Sequence, residues 1–296
     1  MREFCGLNLY FVTVIIPTYK DWDQLKLCLA SLANQSYPAE LYEIIVVNND
    51  PNDFITEIKL PDNFNIVNEA KPGSYAARNK AISVAKGDVF AFTDSDCIPN
   101  SDWIEKALEH LVAGAERVAG HVELFYRSQN LTYAETFEKI FAFNQRDNAG
   151  KGGSVTANMI TWRKNFDKVG LFNDMLLSGG DLEWGARAKA IGIPIKYAPD
   201  VIVKHPARWN MRQLKSKAKR TTGGAVSDPT YFEEYHFTWC VRGFMPPIKI
   251  ILGLVGREDL SLGEIFIAGI IAYFLKVYSN IQKIKLRIGI DKPERV

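Results

Sequence analysis

The 296-residue chain is 47% hydrophobic and 24% charged, long enough for one large domain or two modest ones and well able to bury a core. Its four cysteines, Cys5, Cys28, Cys97 and Cys240, form no CxxC pair, which argues against a zinc knuckle or disulfide framework and for a reducing compartment. The net charge of +2 is uneven: residues 1–200 carry 20 Lys and Arg against 26 Asp and Glu, whereas residues 201–296 carry 16 against 8, so the C-terminal part is expected to face an anionic partner.

The opening "MREFCGLNLYFVTVIIP" runs straight into a strand-like segment with no separate apolar stretch and cleavage site, so no signal peptide is expected. "YFVTVIIPTY" (10–19) reads as a buried, β-branched strand closed by Pro17. Residues 21–35 place Leu25, Cys28, Leu29 and Leu32 at helical spacing. "YEIIVVNND" (42–50) is a second buried strand and "FNIVNEA" (64–70) a third. Residues 74–88 predict a helix opened by Ser74 and stopped near Gly87, "VFAFTD" (89–94) a fourth strand, and residues 102–113 another helix. Continuous apolar strands alternating with helices specify an α/β layer fold on a mixed, mostly parallel sheet. Ligands of such sheets bind beyond the carboxyl ends of the strands, where Pro17–Tyr19, Asn48–Asp50 and Asp94–Asp96 fall.

Residues 117–205 are less regular, with a Gly-rich loop at 148–159 and an acidic segment, "LSGGDLEWGARAKAIG" (177–192), that reads as a loop entering a helix. After His205 the chain turns basic and aromatic, then strongly apolar. Its longest uncharged run there, Ile265–Leu275, is 11 residues, well short of the roughly 20 that span a bilayer, and reads as an interfacial or core helix. The expected organisation is an α/β domain over 1–206, in two halves at about 10–100 and about 101–206. A helical, membrane-associating extension follows over 207–296.

Asp94 and Asp96, one residue apart at the end of an apolar strand, supply two carboxylates of the kind that bind a hard divalent cation together with substrate phosphates. Alone, a D-x-D pair equally describes a surface turn. Here it sits in order among "VTVIIPTYK", "IIVVNND", "KPGSYAARNKAISVAKGDVFAFTDSDCIPNSDWIE", "GGSVTANMITWRK", "GGDLEWGAR" and "VKH". Over residues 10–206 that set resembles family-2 glycosyltransferases with the GT-A (Rossmann-like) fold.

The resemblance implies that 1–206 is the catalytic domain, with the nucleotide-binding half at about 10–100 and the acceptor half at about 101–206. It also implies a donor pocket for a nucleotide-diphosphate sugar, with Pro17, Thr18 and Tyr19 at the first strand end and Asn48 and Asn49 at the second. The second turn usually carries a carboxylate, so the two Asn residues depart from the pattern. Lys71, Arg78, Ser95, Asn158 and Glu183 join the implied donor site; the guanidinium fork of Arg78 suits phosphate, and Asn158 is placed against sugar hydroxyls. Asp94, Asp96 and His205 are the implied ligands of Mn2+ or Mg2+. Asp181 matches the general base of an inverting transfer, although Gly180 stands where Glu is usual; a helix N-cap is the other reading of Asp181. Trp184 either stacks on an acceptor sugar or packs.

The implied acceptor is a glycan or lipid-linked hydroxyl, and the basic, apolar C-terminus places the enzyme in the cytoplasm, peripheral on the inner face of the plasma membrane, with no nucleic-acid partner. An aspartyl phosphatase is disfavoured, because its D-x-D follows the first strand. A nucleotidyltransferase is disfavoured because "PTYKDWDQ" lacks a Gly-rich basic loop. A non-catalytic membrane-bound subunit on the same scaffold is disfavoured by the retained Asp94, Asp96 and Asp181.

Overall fold

The computed structural model describes residues 9–50, 52–53, 60–226 and 241–292, so Cys5 and Cys240 lie outside the described residues. One eight-stranded sheet organises the chain, in the order β3-β2-β1-β4-β7-β6-β8-β5. Strands β1 (Val12–Thr18), β2 (Tyr42–Asn48), β3 (Phe64–Asn68) and β4 (Val89–Phe92) are parallel, with Val12 opposite both Tyr42 and Val89. The sheet continues through β7 (Met159–Trp162), β6 (Arg117–Phe125) and β8 (Lys196–Pro206) to the two-residue edge strand β5 (Ile98–Pro99). Here β4–β7, β7–β6 and β8–β5 pair antiparallel. The sheet is therefore mixed, with its parallel part at the N-terminal end of the chain, as expected.

All seven residues of β2 and all four of β4 are buried, which is why these strands read as unbroken apolar runs instead of alternating. Helix α1 (Trp22–Leu32) buries the stripe Leu25, Cys28, Leu29 and Leu32, and α3 (Trp103–Val112) buries Trp103, Ile104, Ala107, Leu108 and Leu111. Both stripes pack with Val14, Ile16, Ile44 and Val46 of the sheet. A second apolar layer is aromatic: Phe90 and Phe92 of β4 meet Phe166 of α6 (Arg163–Val169), which stacks on Trp184 of α7 (Gly180–Ala190) at 4.4 Å.

Helix α2 (Ser74–Val84) ends at Ala85, whose backbone is extended, and so stops before Gly87. Gly87 has a different purpose: a Cβ there would come within 2.5 Å of the Thr13 backbone nitrogen, so only glycine lets the chain cross β1 this closely. The Gly-rich stretch at 148–159 is partly helical: α5 (Gln145–Lys151) is closed by Gly152 in the left-handed region at φ +95°.

The chain divides into two compact units. The first comprises residues 1–123, 143–175 and 180–205; the second comprises 124–142, 176–179 and 206–296. The boundary thus falls beside His205, and the C-terminal unit also takes two internal segments that the sequence alone places with the catalytic domain. That unit is helical, with α4 (Tyr133–Phe141), α8 (Met211–Val226), α9 (Ile248–Leu252) and α10 (Leu262–Arg287). Ala134, Leu214 and Ile271 form its apolar centre. Beside them the buried Glu138 accepts from Arg208 and Lys217, at 2.9 and 3.1 Å. The apolar run 265–275 is embedded in the 26-residue α10, which is long and apolar enough to cross a membrane by length and composition; 28% of its most apolar window is buried.

Candidate active site

The candidate site lies within the first unit, at the carboxyl ends of β1, β2 and β4. The strand registers end at Thr18, Asn48 and Phe92, and the residues that follow β4 are Thr93 and Asp94. The Asp94–Cys97 turn closes through the Cys97 N–H donating to the Asp94 carbonyl at 3.1 Å. Arg78, on α2 and almost wholly buried, donates from Nη2 to Asp94 Oδ1 at 2.6 Å. Burial raises the Asp94 carboxyl above its ordinary value; Arg78 opposes that shift and the Asp96 charge adds to it.

Asp96 faces the other way, with Oδ2 3.2 Å from His205 Nε2. The β5–β8 register explains this meeting of residues far apart in sequence. Ile98 pairs antiparallel with Lys204, so Cys97 and His205 are the next opposed positions. A two-residue strand containing proline, tolerated because it lies at the sheet edge, leaves no periodic signal to read. His205 is buried and packs on Phe143, ring centres 4.5 Å apart. Asp96, Cys97 and His205 form the group able to hold a metal ion among the described residues, their donor atoms lying within 4.8 Å of one another. Asp94 is not a member, being turned to Arg78, and Cys97 enters unexpectedly. Burial, with the charges of Asp96 and Asp94, pushes the Cys97 thiol well up and keeps it a weak ligand. The carboxylate and imidazole remain, a donor set that suits a hard to borderline divalent cation.

Asp181 opens α7 and is buried. Its Oδ1 accepts from the Tyr75 hydroxyl at 3.1 Å and the Leu182 N–H at 2.9 Å, and its Oδ2 accepts from the Thr156 N–H at 3.2 Å. Tyr75 stands one turn before Arg78 on α2, and the guanidinium lies over its ring at 5.6 Å. A continuous chain therefore runs Asp94–Arg78–Tyr75–Asp181. Three buried polar atoms at this edge, Thr18 Oγ1, Thr93 Oγ1 and Arg78 Nε, have no hydrogen-bond partner among the described residues. Such atoms are costly unless a ligand meets them.

Other expected site residues are occupied elsewhere. Asn48 donates to the Asp53 carbonyl and accepts from the Asp50 N–H, closing its own turn. Asn49 donates to the Glu69 and Lys71 carbonyls and accepts from the Gly73 N–H, tying the entrance of α2 to the end of β2. The acid of this edge is Asp50, paired with Lys20 at 3.3 Å. Tyr19 is half-exposed beside Lys20. Ser95 donates to Asp21 Oδ2 at 3.2 Å, and burial followed by the Asp96 charge raises the Asp21 carboxyl. Lys71 pairs with Asp174 at 2.8 Å. Glu183 is held bidentate by Arg187 on the flank of α7 opposite Asp181.

Asn158 is fully buried: its Oδ1 accepts from Trp103 Nε1, and its Nδ2 donates to the His121 and Val201 carbonyls. It joins α3, β6 and β8, with both of its N–H donors spent and no exposed surface. Trp184, fully buried with its indole N–H donating to the Gly170 carbonyl, packs. The sequence reading passed over Tyr75, Asp21 and Thr93. For Tyr75 a signal existed in its i, i+3 relation to Arg78.

The profile of the family described as "Glycosyl transferase family 2" matches residues 13–170. "Glycosyltransferase AglE" of Haloferax volcanii is 35% identical over 209 residues, 68% of each chain. The "Poly(ribitol-phosphate) beta-glucosyltransferase" of Bacillus spizizenii is 39% identical over 94 residues, 29% of this chain and 14% of that protein. Among solved structures, the mannosyltransferase PcManGT of Pyrobaculum calidifontis, in complex with GDP-Man and Mn2+, superposes with a TM-score of 0.59 at 15% identity, covering 95% of this chain and 88% of that one. TarS 1–349 of S. aureus does so with a TM-score of 0.53 at 17% identity, covering 94% and 92%. At such identities the likeness is one of fold. The profile match and the AglE relationship establish membership: the chain belongs to glycosyl transferase family 2, has the GT-A fold, and is a glycosyltransferase of glycan synthesis.

Proposed function

We propose that the enzyme transfers a sugar from a nucleotide-diphosphate sugar to a hydroxyl of a glycan or lipid-linked acceptor, with inversion at the anomeric carbon. The observation that supports this reading is the chain of contacts Asp94–Arg78–Tyr75–Asp181, which links a buried guanidinium of a kind suited to phosphate with a buried carboxylate. Thr18, Thr93 and the unpaired Nε of Arg78 offer donors to the donor substrate. Asp181 takes the proton of the acceptor hydroxyl as the acceptor oxygen bonds to the anomeric carbon. The bond from that carbon to the β-phosphate oxygen breaks in the same displacement, and its electron pair leaves with the nucleoside diphosphate. One displacement gives inversion.

Asp96 and His205 would hold Mn2+ or Mg2+, and Asp94 would act beside them through Arg78. When bound, the cation supplies Lewis-acid neutralisation of the leaving diphosphate. The presence of GDP-Man and Mn2+ in PcManGT, and of UDP in a TarS structure, supports this choice of ligands. We assign catalysis to residues 1–206. To 207–296 we assign contact with an anionic membrane on the cytoplasmic side, where a lipid-linked acceptor would be presented.

The test is a panel of nucleotide-sugars, scored for thermal stabilisation and for release of nucleoside diphosphate with and without Mn2+. Stabilisation needing both components is expected, and none from any donor would overturn the reading. Asp96→Asn should weaken Mn2+-dependent donor binding. Asp181→Asn should keep donor binding but lower kcat by about 100-fold or more, the scale of losing a general base.

A further inference from the structure

We infer that Tyr75 is the positioning residue for Asp181, and that Gly180 is glycine because the Tyr75 ring occupies the space of its side chain. The inference rests on the reading of Asp181 as the base. A carboxylate turns easily about its last torsion, so a base that must present one lone pair to an acceptor hydroxyl needs its plane held. Three donors hold it here. Two are backbone N–H groups, of Thr156 and Leu182, and the third is the Tyr75 phenol. Tyr75 is thus the one side chain among them, and it alone comes from the nucleotide-binding half.

The ring is itself fixed on three sides. Phe172 lies 5.6 Å from it, the Arg78 guanidinium covers it at 5.6 Å, and Gly180 lies against its edge. A Cβ on Gly180 would come within 2.9 Å of two ring carbons, so the space of a side chain at this position is taken by an aromatic ring from another helix. Upstream, Asn49 accepts from the Gly73 N–H and sets the start of α2, one residue before the turn that carries Tyr75. The phenol keeps its proton: burial first, then the Asp181 charge, moves its ionisation far above the ordinary range, so it stays a donor at any working pH. Because the same ring touches the arginine that holds Asp94, correct seating of the donor-side Arg78 and correct aim of Asp181 depend on one residue.

The test uses the full-length enzyme and the nucleotide-sugar from the panel that gives the fastest release of nucleoside diphosphate. Tyr75→Phe removes only the hydroxyl. It should lower kcat about tenfold or more, the scale of one hydrogen bond to a charged group, while KM for the donor stays within about twofold. Gly180→Ala should lower kcat comparably in the parent enzyme and have no further effect in a Tyr75→Ala background, because the clash is then absent. In protein labelled with 13C at aspartate carboxyls, the resonance lost in Asp181→Asn should move in Tyr75→Phe. An unchanged kcat and an unmoved resonance in Tyr75→Phe, with Asp181→Asn inactive, overturn the inference and leave the base intact. A parallel rise in KM overturns it also, since Tyr75 would then act on donor binding through Arg78. Undiminished transfer by Asp181→Asn, or no turnover of any donor by the parent enzyme, removes the base reading itself.

Discussion

At the scale of single residues, polar side chains at the carboxyl edge of the sheet divide into those that hold the site and those that face into it. Asn48, Asn49 and Asn158 have their amides engaged inside the chain, whereas Thr18, Thr93 and Arg78 keep buried donor capacity unspent. The residue types alone do not separate these groups, because an asparagine beside a Gly-rich loop serves a sugar or a neighbouring carbonyl with the same atoms. All six side chains are buried, so what decides is which partners the fold brings to each of them. Asn158→Ala should therefore act on stability. It strands the Trp103 indole N–H and the carbonyls of His121 and Val201, and the loss should be at least about 2 kcal/mol by the cost of unsatisfied buried groups. Chemical denaturation of the variant checks this. A stability within about 0.5 kcal/mol of the parent, the range of an ordinary surface change, would show that the amide is not the staple described.

At the scale of elements, the long apolar strands and the helices with strong stripes were readable, because β1, β2 and β4 are buried on both faces and α1 and α3 repeat their contacts every turn. The D-x-D turn was readable for the same reason, being the point where such a strand stops. The edge strand β5, which brings His205 to Asp96, was not, since two residues carry no period. Nor was the full length of α10, because Glu264 and Lys276 bound the uncharged run without interrupting the helix.

Helix α10 opens with a complete capping box between Ser261 and Glu264, and Glu264 also pairs with Lys139 of α4 at 2.8 Å. The Lys139 hydrogen bond, followed by those of Ser261, holds the Glu264 carboxyl down from 4.5 to about 2. A depressed carboxyl contributes stability that is present above its unfolded value and is lost as pH falls through its folded value. The anchorage of α10 on α4 should thus weaken between about pH 4.5 and about pH 2. Ser261→Ala should cost about 1 kcal/mol at neutral pH. Hydrogen exchange of the first turn of α10 measures both effects; protection that does not change between pH 5 and pH 3 would deny Glu264 this part.

At the scale of the whole molecule, charge and apolar surface are segregated along the chain. The excess of basic residues beyond position 200 coincides with two helices, α9 and α10, that leave large apolar side chains exposed. On α10, Leu262, Phe266 and Ile270 recur every fourth residue and are 77%, 69% and 54% exposed, while Ile265, Ala268 and Ile271 face inward. Lys283, Lys285 and Arg287 follow toward its end. An apolar stripe ending in cations is the pattern of a helix lying in a lipid interface, where apolar burial and attraction to anionic headgroups act together. Each Lys or Arg near such a surface adds about 1 kcal/mol, and salt screens that part alone. The full-length protein should therefore cosediment with phosphatidylserine-containing vesicles more strongly than with phosphatidylcholine vesicles, and less so at high salt. Phe266→Asp and Ile270→Asp should abolish the association. Because both side chains are exposed, the melting temperature and the donor-induced stabilisation should stay as in the parent. Equal binding to neutral and anionic vesicles would remove the electrostatic half of the proposal. Binding undiminished in both aspartate variants would show that this stripe is not the surface in contact with lipid.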